Sequence, residues 1–225
     1  MVELTMTSSS NVATVAKNFF QFFMHQLLPS SYAKTPPNSM VDSQNNAIVI
    51  TKFWISLGEI EFKFEENASV DESSEISFTG PYDVDMLSDS PSPLASNTIS
   101  TNQFRRLKYK LKKFTTQPST APSGVLNNAI YIEGTVNSKP FIYTSSSEVE
   151  ITVSGATSVE AVNSSRILIQ LQLANLIRKL NLSSITSSST TTINESNRLN
   201  IGANACSSID SSLTDIYSCI LKGLA

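Results

Sequence analysis

QFRRLKYKLKKF (residues 103–114), NNAIYIEG (127–134), PFIYT (140–144), SEVEITVSGA (147–156) and SVEAVNSSRILIQLQLANLIRKL (158–180) make up the stretch that decides the fold. The first four pieces alternate apolar with polar residues, the period of two that sends successive side chains to opposite faces of a strand. In the first, Leu107, Tyr109 and Leu111 alternate with Lys108, Lys110 and Lys112. One face of that strand is then apolar and the other a row of lysines, whereas a helix would scatter both sets. The last piece is long and apolar-rich and reads as a helix over residues 158–182, with Gly155 and Ala156 breaking the strand before it. Strands followed by a covering helix can bury one face of a sheet.

Working outward, VELTMT (2–7) alternates and predicts a short strand. Val12, Val15, Ala16, Phe19, Phe20, Phe23 and Leu27 then recur at helical spacing over residues 11–28, after possible caps at Ser8, Ser9, Ser10 and Asn11 and before Pro29. Residues 45–57, 59–66 and 74–80 read as three strands, with Leu57, Gly58 and Glu59 as a hairpin turn between the first two. DVDMLSDSPSPLA (83–95) is acidic and proline-punctuated, the composition of an exposed linker. Beyond the long helix, SSITSSSTTTINESN (183–197) is a low-complexity connection. Residues 208–222 then place Ile209, Leu213, Ile216, Tyr217 and Ile220 on one side of a closing helix.

The expected fold is therefore α+β, a curved antiparallel sheet with long helices packed on its convex face. It falls into three segments: a strand, helix and sheet half with an acidic linker (1–95), the basic strand, sheet and long helix (96–183), and a connection with a C-terminal helix (184–225).

Composition narrows the function. The chain has 225 residues, 40% hydrophobic and only 16% charged, with Ser, Thr and Asn supplying the polarity. That suits one intimately packed unit with Ser/Thr-rich joints rather than a disordered chain. The net charge of −3 argues against a surface coated in positive charge but leaves room for a local basic face. No basic n-region precedes an apolar run at the N-terminus, and no segment approaches a membrane span, so an intracellular setting is expected, neither secreted nor membrane-bound. Cys206 and Cys219 then read as reduced, buried small hydrophobes. His25 is the only histidine, with no ligand cluster for zinc and no partner set for a nucleophilic serine, and no phosphate-cradling loop stands among the seven glycines. No catalytic residue, metal or cofactor is assigned, and a non-enzymatic protein is expected.

SEISFTGPYDVDML (74–87), EITVSGATSVEAV (150–162) and RLNIGANACSSID (198–210) share one grammar, a strand-like run before Gly and then a small residue or proline. The last two lead into the expected helices.

These features resemble the repeat unit of the TATA-box-binding protein family, most closely its divergent relatives in large DNA viruses. Tyr109-Lys110-Leu111-Lys112-Lys113-Phe114 is similar to the family's Tyr-x-x-Lys-basic-Phe strand opening. PFIYTSSSEVEITVSGA (140–156) is similar to its run of aromatic, Ser-Ser, strand and Thr-Gly-Ala, with Ser154 for the Thr and Tyr143 where Phe is usual. IYSCILKGL (216–224) resembles its closing helix. The resemblance implies a saddle whose concave sheet faces an A·T-rich DNA minor groove, with transcription machinery as the protein partner. It implies Phe114, Tyr143 and Phe141 as wedges, Asn127 and Asn128 as groove readers, and Lys108, Lys110, Lys112 and Lys113 as phosphate contacts.

Four other readings stand beside it. The lysine row can be a solvated edge strand protected against aggregation. Ten acids between residues 59 and 89, against Lys63 alone, can cover the basic row as a nucleic-acid mimic, so that deleting residues 84–95 would strengthen DNA binding. The chain can also be a structural or assembly protein, virion components included, that associates with itself or another protein, or a module whose sheet grips a long helix around an apolar ligand.

Overall fold

The computed structural model describes residues 2–9, 40–64, 75–88, 92–97, 102–161, 166–172 and 181–194. Its spine is one 18-residue strand, β3 (Ala47–Phe64), preceded by β1 (Val2–Ser9) and β2 (Met40–Val41). After it come β4 (Glu75–Asp85), β5 (Ser92–Asn97), β6 (Asn102–Leu111), β7 (Ile130–Val136), β8 (Lys139–Ser145), β9 (Glu150–Ala161), β10 (Arg166–Gln172) and β11 (Thr191–Ile193).

β3 can run this far because its apolar residues stay on one side. Ile48, Ile50, Phe53, Ile55, Leu57, Ile60 and Phe62 are all buried, yet they are spaced by two except at two steps of three. Those two steps coincide with register shifts between Ile50 and Lys52 and between Leu57 and Glu59. An extra residue at each bulge resets the alternation and keeps the apolar set on the inner face. Leu57, Gly58 and Glu59 therefore form a bulge inside a continuous strand and not a hairpin turn.

The sheet curls around this spine. β7 pairs with residues 48–55 and β6 with residues 57–64, end to end along one edge of β3, while β2 and β4 pair along the other. The eight-stranded sheet has the order β11-β8-β7-β3-β6-β9, with β2 and β4 attached to β3. Every pairing is antiparallel except β11 on β8, so the sheet is mixed. Gly134 sits opposite Ile50 in the first bulge, where a Cβ would collide with the carbonyl oxygen of Val49. A second sheet has the order β10-β1-β5, with β1 parallel to β10 and antiparallel to β5.

Inner-face side chains of the eight-stranded sheet form the main core: the β3 set with Phe78, Tyr109, Leu111, Ile130, Ile132, Phe141, Tyr143 and Ile151. Strands from all three expected segments share this sheet, because β3 pairs with β6 and β7, and β11 pairs with β8. A polar hub also ties the first two of them together. The buried carboxylate of Asp42 accepts from the backbone of Gln44, Asn46 and, 140 residues away, Leu182 at 2.8 Å. The side-chain amide of Asn46 donates to Asp42 at 2.8 Å and to Ser183 at 3.0 Å, and its oxygen accepts from Asn137 at 2.7 Å.

The curved sheet is present; the helices expected on its convex face are not shown. Residues 166–172, read from sequence as part of a long helix, are β10, paired with β1 from Glu3 opposite Arg166 to Ser9 opposite Gln172. RILIQLQ places Ile167, Ile169 and Leu171 at alternate positions, and a short apolar run fits either period until a partner strand decides it. Gly155 does not break its strand, since β9 continues to Ala161. Nor is 83–95 a free linker: Val84 and Met86 are 0% exposed, and β5 begins within it. The only helical element among the described residues is one 3-10 turn at Ser123–Val125. The expected helices at 11–28 and 208–222, the third repeat, His25, Cys206 and Cys219 lie outside the described residues.

Candidate functional site: the outer sheet face

On the outer face, opposite the core, the sheet register brings polar residues of four strands into rows. Ser77, Glu61, Lys108 and Thr152 form one row across β4, β3, β6 and β9, and Thr79, Glu59, Lys110 and Glu150 form the next. The expected alternation of β6 thus holds for the residues it placed here: Tyr109 and Leu111 are buried, while Lys108 and Lys110 face outward.

The two lysines are spoken for within the fold. Lys108 Nζ lies 3.1 Å from Glu61 and 3.0 Å from Glu150, and Lys110 Nζ lies 2.6 Å from Glu59 and 3.5 Å from Glu61. Ser77 Oγ donates to Glu59 at 2.9 Å. Hydrogen bonding to Lys110, and then to Ser77, lowers the Glu59 carboxyl below its ordinary value. Glu150 and Glu61 raise the Lys108 ammonium, and Glu59 raises that of Lys110. Two lysines face three glutamates, so the ladder is closed on itself and carries a net negative charge.

The glutamates were the missed part of this site. Their signal is in the sequence, since Glu59-Ile60-Glu61 and Lys108-Tyr109-Lys110 share the period of two and would match across an antiparallel pair. What the sequence lacks is the pairing of β3 with β6. The acidic half does cover the basic row, but through Glu59 and Glu61 of the neighbouring strand. The described residues of 84–95 show no ion pair with these lysines, and deleting the segment would remove Val84 and Met86 from the core.

Lys112 and Lys113 lie beyond the end of β6 and are exposed. Neither side chain has an ion-pair partner among the described residues. The stem of Lys112 lies against Gly58, close enough that an added Cβ would sit 3.0 Å from its Cδ. The same region holds an open depression of about 510 Å³, lined among others by Glu59, Lys110, Lys112, Glu148 and Glu150.

The residues expected to wedge into or read a DNA groove have other positions. Phe114, Phe141 and Tyr143 are 1%, 4% and 0% exposed, so as placed they are core side chains and not a presented surface. Phe114 packs with Trp54, Ala121, Val125 and Tyr131 beneath the segment between β6 and β7. That segment closes on itself: Phe114 N–H donates to Asn128 O at 2.9 Å, and Asn127 N–H donates to Phe114 O at 3.0 Å. A compact surface loop with meeting ends and its own packed interior results. Asn127 takes a left-handed conformation (φ 64°), which asparagine tolerates, and the Asn128 amide donates to Gly124 O at 2.9 Å. Both asparagines, expected as groove readers, take part in building this loop. Within the cluster, burial and a hydrogen bond to Glu133 push the Tyr131 hydroxyl up to about 12.

Among the described residues, no group of three or more His, Cys, Asp or Glu is placed to hold a metal ion, and no helix is long and apolar enough to cross a membrane. Comparison with family models, curated proteins and solved structures finds no match. The likeness to the TATA-box-binding protein family accordingly stands on the sequence motifs around Tyr109–Phe114 and in residues 140–156.

Proposed function

We propose that this chain is a non-enzymatic, intracellular assembly protein whose curled sheet joins protein surfaces. One observation carries the reading: the residues that a DNA-gripping sheet would present are used inside the fold. Lys108 and Lys110 of the lysine row are neutralised by Glu59, Glu61 and Glu150, and the three aromatic wedge candidates are buried in the core. A duplex would have to displace short charge-assisted hydrogen bonds before gaining its own phosphate contacts. The low share of charged residues fits such a surface, since charges are depleted at the centre of protein interfaces.

The minor-groove factor of TATA-binding type is the second reading, and the exposure of Lys112 and Lys113 favours it. The saddle with covering helices belongs to that reading, and its helices would be supplied by residues outside the described ones.

One pair of measurements separates the two. Sedimentation of the wild-type chain over a hundredfold concentration range should show association in the absence of nucleic acid. Titration with a short A·T-rich duplex at low salt should show no binding beyond that of an acidic control protein. Salt-sensitive duplex binding that disappears in Lys112→Ser/Lys113→Ser, from a chain that stays monomeric, would overturn the assembly reading in favour of the DNA one.

A further inference from the structure

β11 is a short cap on an edge of β8 that no other strand among the described residues pairs with. It has three residues, pairs only with Phe141, Ile142 and Tyr143 of the seven-residue β8, and does so in parallel, the slightly less stable arrangement. Its one buried side chain is Ile193, 0% exposed and in register with the inner-face Tyr143. A strand this short contributes little by itself, and an edge it leaves accessible is a template for another chain.

The connection to β11 is equally informative. Upstream, Leu182 and Ile185 are buried, and the Leu182 N–H is held by Asp42. Between these anchors and β11 run residues 186–190, Thr-Ser-Ser-Ser-Thr, all five exposed. A polar run of that length can be redirected while the anchors stay seated, and Ile193 is then the one buried apolar side chain of β11 that has to leave its site. Its strand, Thr191-Thr192-Ile193, is wholly β-branched and suited to pairing wherever an edge offers itself.

We propose that the β8 edge is a strand-exchange site, where β11 of a second copy replaces the copy's own. The occupant is set by the chemistry already seen within one chain: a parallel three-residue strand whose third side chain fills the site beside Tyr143. Exchange conserves each of those contacts, so it costs little in contact energy and depends on chain concentration, the usual condition for swapping an element between protomers. This inference rests on the assembly reading and gives that assembly its contact.

Cross-linking tests it in the full chain with Cys206→Ser and Cys219→Ser as background. Thr192 and Ile142 are partners across the β11–β8 pair, so cysteines at both positions in one chain should close an intrachain disulfide, which shows that the geometry and fold survive. Chains carrying Thr192→Cys alone and Ile142→Cys alone are then mixed at high concentration and oxidised. Exchange predicts a disulfide-linked heterodimer at least fivefold in excess of either homodimer and falling on dilution. An efficient intrachain disulfide in the double variant with no heterodimer excess in the mixture overturns the exchange. If the wild-type chain still associates in sedimentation, only the exchange fails; if it is monomeric throughout, the assembly reading fails with it.

Discussion

The two halves of β3 share an inner face and part company on the outer one. Residues 48–55, beside β7, place Trp54 outward under an apolar lid made by the loop with Phe114, Ala121 and Val125. Residues 57–64, beside β6, place Glu59 and Glu61 outward into a ladder of charge with Lys108 and Lys110. The changeover is at Ser56, whose N–H donates to Ala129 O and whose carbonyl accepts from Lys112 N–H, both at 3.0 Å. A half covered by packed side chains gains from removing apolar surface from water. A half covered by ion pairs gains mainly specificity of register, because exposed pairs contribute little energy. The outer face is therefore a stability element at one end of the strand and a pairing code at the other.

The largest effect expected from this contrast is at the lid. Phe114→Ala should destabilise folding by about 3–5 kcal/mol, the range for emptying a buried aromatic site. Denaturant unfolding measures it, and a loss well below 1 kcal/mol would mean that the loop does not cover Trp54 in solution. In the ladder, Glu61→Ala removes the carboxylate shared by Lys108 and Lys110 from a position only 7% exposed. The expected cost is at most about 1 kcal/mol, because Lys108 keeps Glu150 and Lys110 keeps Glu59, and it should be smaller than that of Phe114→Ala.

The ladder also gives a pH signature that the lid lacks. Glu59 titrates below its ordinary 4.5 in the folded chain, so its contribution is full above that value and is lost as pH falls through the lowered one. Lys110 titrates above its ordinary 10.5, so its contribution is full below that value and is lost as pH rises through the raised one. The stability difference between wild type and Lys110→Met should accordingly be greatest between these limits and shrink toward both acid and alkali. A difference independent of pH would show that the pair is not formed. The smallest effect is expected at the exposed end of the basic cluster, where Lys112→Ser with Lys113→Ser should change stability by no more than about 0.5 kcal/mol. A larger loss would tie those lysines into the fold and extend the ladder into the lid.

Legibility followed the reach of the interactions. The strands β1, β4, β6, β7 and β8 could be read because alternation is a local property, as in Leu107-Lys108-Tyr109-Lys110-Leu111. Gly58 misled because a glycine between two apolar runs is compatible with a turn and with a bulge, and only the position of β4 and β6 alongside β3 selects the bulge. Residues 166–172 misled for a related reason: Ile, Leu and Gln suit both periods, and β1, more than 150 residues earlier, makes them a strand. In the site, the lysine row was visible and its neutralisation was not. Phe114 and Tyr143 carry the same letters whether they are wedges or core.

By itself, then, the sequence determined that this chain builds a sheet with one apolar face and a lysine row on the other, since both follow from a period of two along single strands. Tertiary structure alone decided that Glu59, Glu61 and Glu150 pair with Lys108 and Lys110 of that row, that Phe114 helps to close a lid over Trp54 and that β11 caps β8. Each of these depends on which strands become neighbours, and such long-range pairing is settled by burial and register summed over the whole sheet.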